Sequence, residues 1–172
     1  YFYENSVAQK LALLNCSQVI EKQDVDDEIK AFEEKNHIVF HEEQKNAIRN
    51  SINSGVSVIT GGPGTGKTTI IKCIIDIVKQ NNKKFMLLAP TGRASKRMSD
   101  STGEEAKTIH RALEVAQGDL AHLSRFVYNE NNPFKTDVVI VDEVSMVDVA
   151  LMSHLCKALP RDCKLILVGD KD

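Results

Sequence analysis

What this sequence lacks narrows it first. It has no excess of charge: 22 Lys and Arg stand against 24 Asp and Glu, a formal net of −2. No global field therefore marks a nucleic-acid partner, and any such binding has to come from a local patch. It has four cysteines, Cys16, Cys73, Cys156 and Cys163, and no two of them form a C-x-x-C pair. That spacing argues against a zinc site and reads as reduced thiols in a cytoplasmic protein. No signal peptide and no apolar run long enough to span a bilayer is present, so no membrane partner is expected. Internal repeats and low-complexity tracts are missing too. His41-Glu42 begins like H-E-x-x-H, but Lys45 stands where the second His belongs, which excludes a zinc-protease helix. The chain opens on Tyr1 rather than Met and stops just after a strand-like run, so it is expected to be part of something longer.

What is there is enough for one domain with a real core: 172 residues, 42% hydrophobic and 27% charged. The centre is Gly61 to Thr68, which fits G-x-x-x-x-G-K-[ST], the Walker A loop. Glycines let the backbone fold round a phosphate and bring successive N–H groups to bear on it. Lys67 supplies a point charge for β- and γ-phosphates, and Thr68 a hydroxyl ligand for Mg²⁺. The flanks supply the context this motif requires. Val56 to Ile59 is β-branched and reads as a buried strand. Ile70, Ile71, Ile74, Ile75 and Val78 have helical spacing. The phosphates then meet the positive end of that helix. The expected nucleotide contacts are Gly62, Pro63, Gly64, Thr65, Gly66, Lys67, Thr68 and Thr69.

A second signal is Asp137 to Glu143, a β-branched run entering two acids. After a Walker A loop this reads as the B strand, with Asp142 in the Mg²⁺ shell and Glu143 placed to polarise the attacking water. Lys164 to Val168 is a further buried strand. It ends in Gly169-Asp170, an acid in position to sense a γ-phosphate. Gly169-Asp170-Lys171-Asp172 does not supply the N-K-x-D of a guanine reader.

Upstream, Tyr1 to Glu34 reads as helical, with Val7, Leu11, Leu14, Val19 and Ile20 as its apolar members. Asp24 to Glu28 reads as a solvated acidic helix start. A short helix opens near Phe40 and runs to about Asn53. It carries Gln44, whose amide offers a donor and an acceptor that match the N6/N7 edge of adenine. Lys84 to Ala89 reads as another buried strand. It runs into Thr91, Gly92, Arg93, Lys96 and Arg97, where a hydroxyl, backbone N–H groups and cations fall at a strand end. That set suits the phosphates of a nucleic-acid strand, and a solvated basic turn is the plain alternative. Thr108 is placed to cap a helix through Leu113, and Asn129 to Asn132 reads as an exposed loop.

Together these segments resemble the first motor domain of superfamily 1 helicases, in particular the RecD/TraA group of exodeoxyribonuclease V alpha-subunit type. The resemblance rests on Gly61 to Thr69, Ala89 to Met98, Thr108-Ile109-His110-Arg111, Asp142 to Met146 and Gly169-Asp170, and covers roughly Phe40 to Asp172. Ser95 stands where the group usually has Ala, with no consequence expected. The resemblance implies a RecA-like P-loop α/β domain, a parallel sheet flanked by helices, over residues 37–172. Residues 1–36 are then the helical end of a preceding region. It further implies an ATP- and Mg²⁺-dependent 5′-to-3′ DNA helicase, with Gln44 as the adenine-reading glutamine. Thr91, Gly92, Arg93 and His110 become contacts to single-stranded DNA. A second motor domain, beyond a break inside motif III, would supply an arginine finger. The rival readings are an AAA+ loader, which would want Asn or Thr in place of Asp170, and a nucleotide-switched nucleic-acid-binding regulator.

Overall fold

The alternation of apolar side chains along three strands decides the layers. In the computed structural model, which describes residues 1–16, 23–118 and 125–170, Val138 and Ile140 face one core together with Leu87, Ile166 and Val168. Val139 and Val141 face the other with Leu88, Leu165 and Leu167. A strand apolar on both faces is what a parallel sheet covered on both sides demands.

The elements run α1 (Phe2–Cys16), α2 (Asp26–Asn36), α3 (Glu42–Asn53), β1 (Val56–Thr60), α4 (Lys67–Gln80), β2 (Phe85–Ala89), α5 (Gly92–Thr102), β3 (Ala106–Thr108), α6 (Ile109–Leu113), β4 (Val138–Val141), α7 (Val149–Ala158) and β5 (Lys164–Gly169). The sheet order is β1-β5-β4-β2-β3, and every pairing is parallel. Helices α2, α3, α4 and α5 send Ile29, Phe32, Ile48, Ile52, Ile74 and Met98 into the first core. Helices α1, α6 and α7 send Leu14, Ile109, Leu113, Leu151 and Leu155 into the second. This is the expected RecA-like parallel sheet flanked by helices.

Chain order and sheet order part company at β5, which inserts between β1 and β4. Thr60 aligns with Gly169, and Val141 with Leu167. The carboxyl ends of β1, β5 and β4 therefore stand side by side, and whatever follows each strand shares one rim.

Several elements differ from expectation. The amino-terminal helical stretch forms two helices, and Val19 and Ile20 lie outside the described residues, as do Lys171 and Asp172. Leu14 is buried against α7, and the Lys10 ammonium donates to the Leu159 carbonyl at 2.8 Å. The acidic start of α2 is as read: Asp26, Asp27 and Glu28 fill its first turn, at the positive end of the helix. Strand β1 is an edge strand rather than a fully covered one. It pairs with β5 alone among the described residues, and along it Ile59 is buried while Val58 is 62% exposed.

Candidate nucleotide-binding site

The loop between β1 and α4 takes its shape from glycine and from its own hydrogen bonds. Gly64 and Gly66 have φ of 78° and 82°, a region that costs side-chain-bearing residues energy. A Cβ on Gly61 would lie 2.5 Å from the Thr65 hydroxyl, so a side chain there would have to push that hydroxyl aside. The Thr65 hydroxyl donates to the Gly62 carbonyl at 2.8 Å and pins the turn. Gly66 caps α4 and brings no side-chain cap, so among the described residues no side chain claims the first-turn N–H groups of Lys67, Thr68 and Thr69. Orphan donors at a positive helix end make an anion site. Pro63, Gly64 and Thr65 are exposed at the tip, and Thr68 is exposed on the first turn.

The Lys67 ammonium turns back into the loop. It donates to the Gly61 carbonyl, to the Gly62 carbonyl at 3.3 Å, and to the Asp170 carboxylate at the end of β5. Strand order makes that last contact. Gly169 sits beside Thr60, so Asp170 follows directly opposite the loop. Gln44 reaches the same loop from α3. Its Nε2 donates to the Thr65 carbonyl at 2.9 Å, while its Oε1 accepts from the His41 backbone N–H at 2.8 Å. Both ends of the amide are committed to the chain itself.

Asp142 and Glu143 follow β4. The Asp142 N–H donates to the Leu88 carbonyl at 2.9 Å, continuing the β4–β2 ladder one step past the strand. The Glu143 N–H donates to Asp142 Oδ1 at 2.9 Å, and Glu143 itself is left-handed, φ 52° and ψ 42°. Burial pushes the Asp142 carboxyl above its ordinary range, while the positive charges of Arg97 and Lys67 pull it down and Asp170 pushes it up. The two acids are brought to the same rim as Lys67 and Asp170.

Alongside stands α5. Thr91 caps it, its hydroxyl accepting from the Ala94 N–H at 3.2 Å. Ala94, Ser95 and Met98 are buried, which turns Arg93, Lys96 and Arg97 outward with Thr91 and Gly92 exposed before them. Arg97 is not idle there: its guanidinium forms an ion pair with the Glu143 carboxylate. His110 is exposed on α6, its ring 6.2 Å from that of Phe126, and Thr108 caps that helix by accepting from the Arg111 N–H at 3.1 Å. Sequence reasoning missed the Arg97–Glu143 and Lys67–Asp170 pairs. Both depend on which strand lies beside which.

Residues 44–172 match the family model described as an AAA domain. The chain belongs to that family. Among its curated relatives within the family's reach, the ATP-dependent RecD2 DNA helicase of Deinococcus radiodurans is 39% identical over 131 residues. That match spans 76% of this chain and 18% of the relative. The RecBCD enzyme subunit RecD of Buchnera aphidicola subsp. Acyrthosiphon pisum is 30% identical over 190 residues, 99% of this chain and 29% of the relative. The chain thus spans less than a third of either. Among solved structures, the crystal structure of Pif1 helicase from Candida albicans superposes with a TM-score of 0.56 at 26% identity, over 77% of this chain and 33% of that one. The RecD-type resemblance carried by the motifs is borne out, and so is the RecA-like fold. No helix among the described residues is long and apolar enough to cross a membrane.

Proposed function

We propose that this chain is the ATP-binding first motor domain of an ATP-dependent 5′-to-3′ DNA helicase of RecD type, preceded by the helical end of another region over residues 1–36. One observation carries the reading. The glycine loop, Asp142-Glu143 and Asp170 share one rim, and the exposed cations of α5 stand against the same rim through Arg97. A nucleotide site and a candidate strand-binding face are thereby in contact.

In this reading the loop amides and Lys67 hold the β- and γ-phosphates, and Gln44 steadies the loop at Thr65 until adenine takes its amide from Thr65 and His41. Glu143 orients the attacking water and accepts its proton as the bond forms. Asp170 meets Lys67 before the phosphates arrive and reports on them afterwards. Mg²⁺ fits the residues present. Thr68 and Asp142 offer a hydroxyl and a carboxylate, both hard oxygen donors, and no larger His, Cys, Asp or Glu cluster exists among the described residues. A site with so few protein ligands suits an ion that keeps waters and takes phosphate oxygens. When bound, Mg²⁺ would neutralise charge on the transferring phosphate. Thr91, Gly92, Arg93, Lys96, Arg97 and His110 would track a single strand of DNA through its backbone. A second motor domain would close over the nucleotide. The free thiols Cys16, Cys73, Cys156 and Cys163 accord with a cytoplasmic setting.

The test is ATP turnover by the full-length protein with and without single-stranded DNA, with unwinding of duplexes carrying a 5′ or a 3′ tail. Stimulated turnover and unwinding from the 5′ tail are expected. Turnover indifferent to DNA would favour a loader or a regulator. The AAA+ loader reading draws no support from β5, which leads into Asp170 rather than Asn or Thr.

A further inference from the structure

The Arg97–Glu143 pair deepens the reading above and rests on it. It joins two groups that the helicase reading gives to different tasks, one to DNA and one to hydrolysis. The fold holds them together. Helix α5 follows β2, β2 pairs with β4 in the register Leu88 to Val141, and the Asp142 N–H bonds back to Leu88. The first turns of α5 are thereby fixed over the acidic end of β4.

The backbone of Glu143 is also fixed. Its N–H is held by Asp142 at 2.9 Å, its carbonyl accepts from the Met146 N–H at 3.0 Å, and its φ is 52°. Only the side chain is left to move. The Arg97 side chain is 67% exposed and that of Glu143 26%. The guanidinium therefore remains open to a phosphate from solvent while one side of it holds the carboxylate. Arg93, at one helical turn's distance on the same exposed face, and Lys96 make no ion pair among the described residues. A strand laid along α5 meets open cations first and the engaged one beside them.

A carboxylate bound by a guanidinium has its oxygens occupied and its direction fixed, so it is not free to orient a water. A phosphate diester offers the same planar fork a competing partner. An exposed ion pair is weak enough for that exchange to proceed on binding.

We propose that Arg97 restrains Glu143 in the absence of DNA and releases it when a backbone phosphate of single-stranded DNA takes the guanidinium, making α5 the relay by which DNA switches on hydrolysis. Arg97 is then a positioning residue for the hydrolytic step as well as a DNA contact.

Two measurements on the full-length protein test this. The first is ATP turnover of Arg97→Ala without DNA and with saturating oligo(dT). DNA-free turnover is expected to rise about threefold to fivefold, the scale of one exposed ion pair, and the stimulation ratio to shrink by at least as much. Unchanged or lower DNA-free turnover overturns the relay. The second uses Arg97→Lys, whose amine is open to zero-length carbodiimide coupling to Glu143, read by peptide mass spectrometry without any turnover. The coupled peptide is expected without DNA and should fall severalfold with saturating oligo(dT). A yield that DNA leaves unchanged, or no coupling at all, overturns the proposal. A wild-type enzyme that oligo(dT) does not stimulate would instead sink the helicase reading itself, which separates the two failures.

Discussion

On the β1 side of the candidate site the chain builds a cradle from backbone. On the β4 and β5 side it builds a rim from carboxylates. The cradle is one continuous stretch, and its form is set by left-handed Gly64 and Gly66 and by an α4 amino terminus with no side-chain cap. The rim collects Asp142, Glu143 and Asp170 from two strand ends, and each acid depends on a distant partner. Asp142 faces Arg97 and Lys67, Glu143 pairs with Arg97, and Asp170 pairs with Lys67. A backbone cradle presents its N–H groups to a polyphosphate without needing a side-chain partner elsewhere. A rim of charges responds to whatever displaces a partner. In the proposed function, binding would therefore fall mainly to the first side and control of the chemistry to the second.

Mutation at one position on each side puts that division under the greatest load. Glu143→Gln keeps the shape of the rim and removes its base. Turnover should fall by about 10²–10⁴-fold, the range of a positioned acid–base group, while nucleotide affinity holds. Lys67→Ala strikes the cradle. Affinity and turnover should fall together, by roughly ten to a hundredfold in affinity if one hydrogen bond to a charged group is lost. Nucleotide titration beside steady-state turnover in the full-length protein reads both. Equal loss of binding in Glu143→Gln would erase the distinction between the two sides.

The next effect in size falls on the support beneath the cradle. Ile74 is fully buried on α4, in the core it shares with Ile48 and Ile52 of α3. Ile74→Ala removes buried methyl groups and leaves a cavity, which should cost about 2–5 kcal/mol. A loss of that size lowers the melting temperature of a domain this long by roughly 4–20 °C. A thermal melt checks it, and a shift below that range would mean that α4 collapses to fill the gap.

The same division explains how much could be read from the residues alone. The cradle was legible because strand, glycine loop and helix are consecutive, and each carries a local signature. The strand pattern of β2, β4 and β5, the α3 span and the Thr108 cap were legible for the same reason. Helix α7 went unread although its signals are local. Asp148 caps it by accepting from the Leu151 N–H at 2.7 Å, and Leu151, Met152, Leu155 and Cys156 have helical spacing. The three-residue β3 is too short to show a period. The edge position of β1 and the pairs of the rim were illegible in principle. They follow from the insertion of β5 between β1 and β4 and from β2 lying beside β4, which no local pattern encodes.

The smallest effect sits where the two sides meet. Lys67 belongs to the cradle and Asp170 to the rim, and their pair is the one ion pair between the two among the described residues. Its side chains are 19% and 57% exposed, so water screens it. A pair this open contributes about 0–1 kcal/mol. Incoming phosphates have to displace Asp170 from the ammonium and approach its negative charge. Asp170→Asn removes both obstacles while keeping the shape of the side chain. Nucleotide affinity without DNA should therefore tighten, by no more than about fivefold given the weakness of an exposed pair. Titration of a non-hydrolysable ATP analogue with Mg²⁺ at low salt gives the number, and added salt should shrink the gain because the pair is screened. Weaker binding by Asp170→Asn would mean that the rim helps to hold the nucleotide, and the separation of binding from control would not survive it.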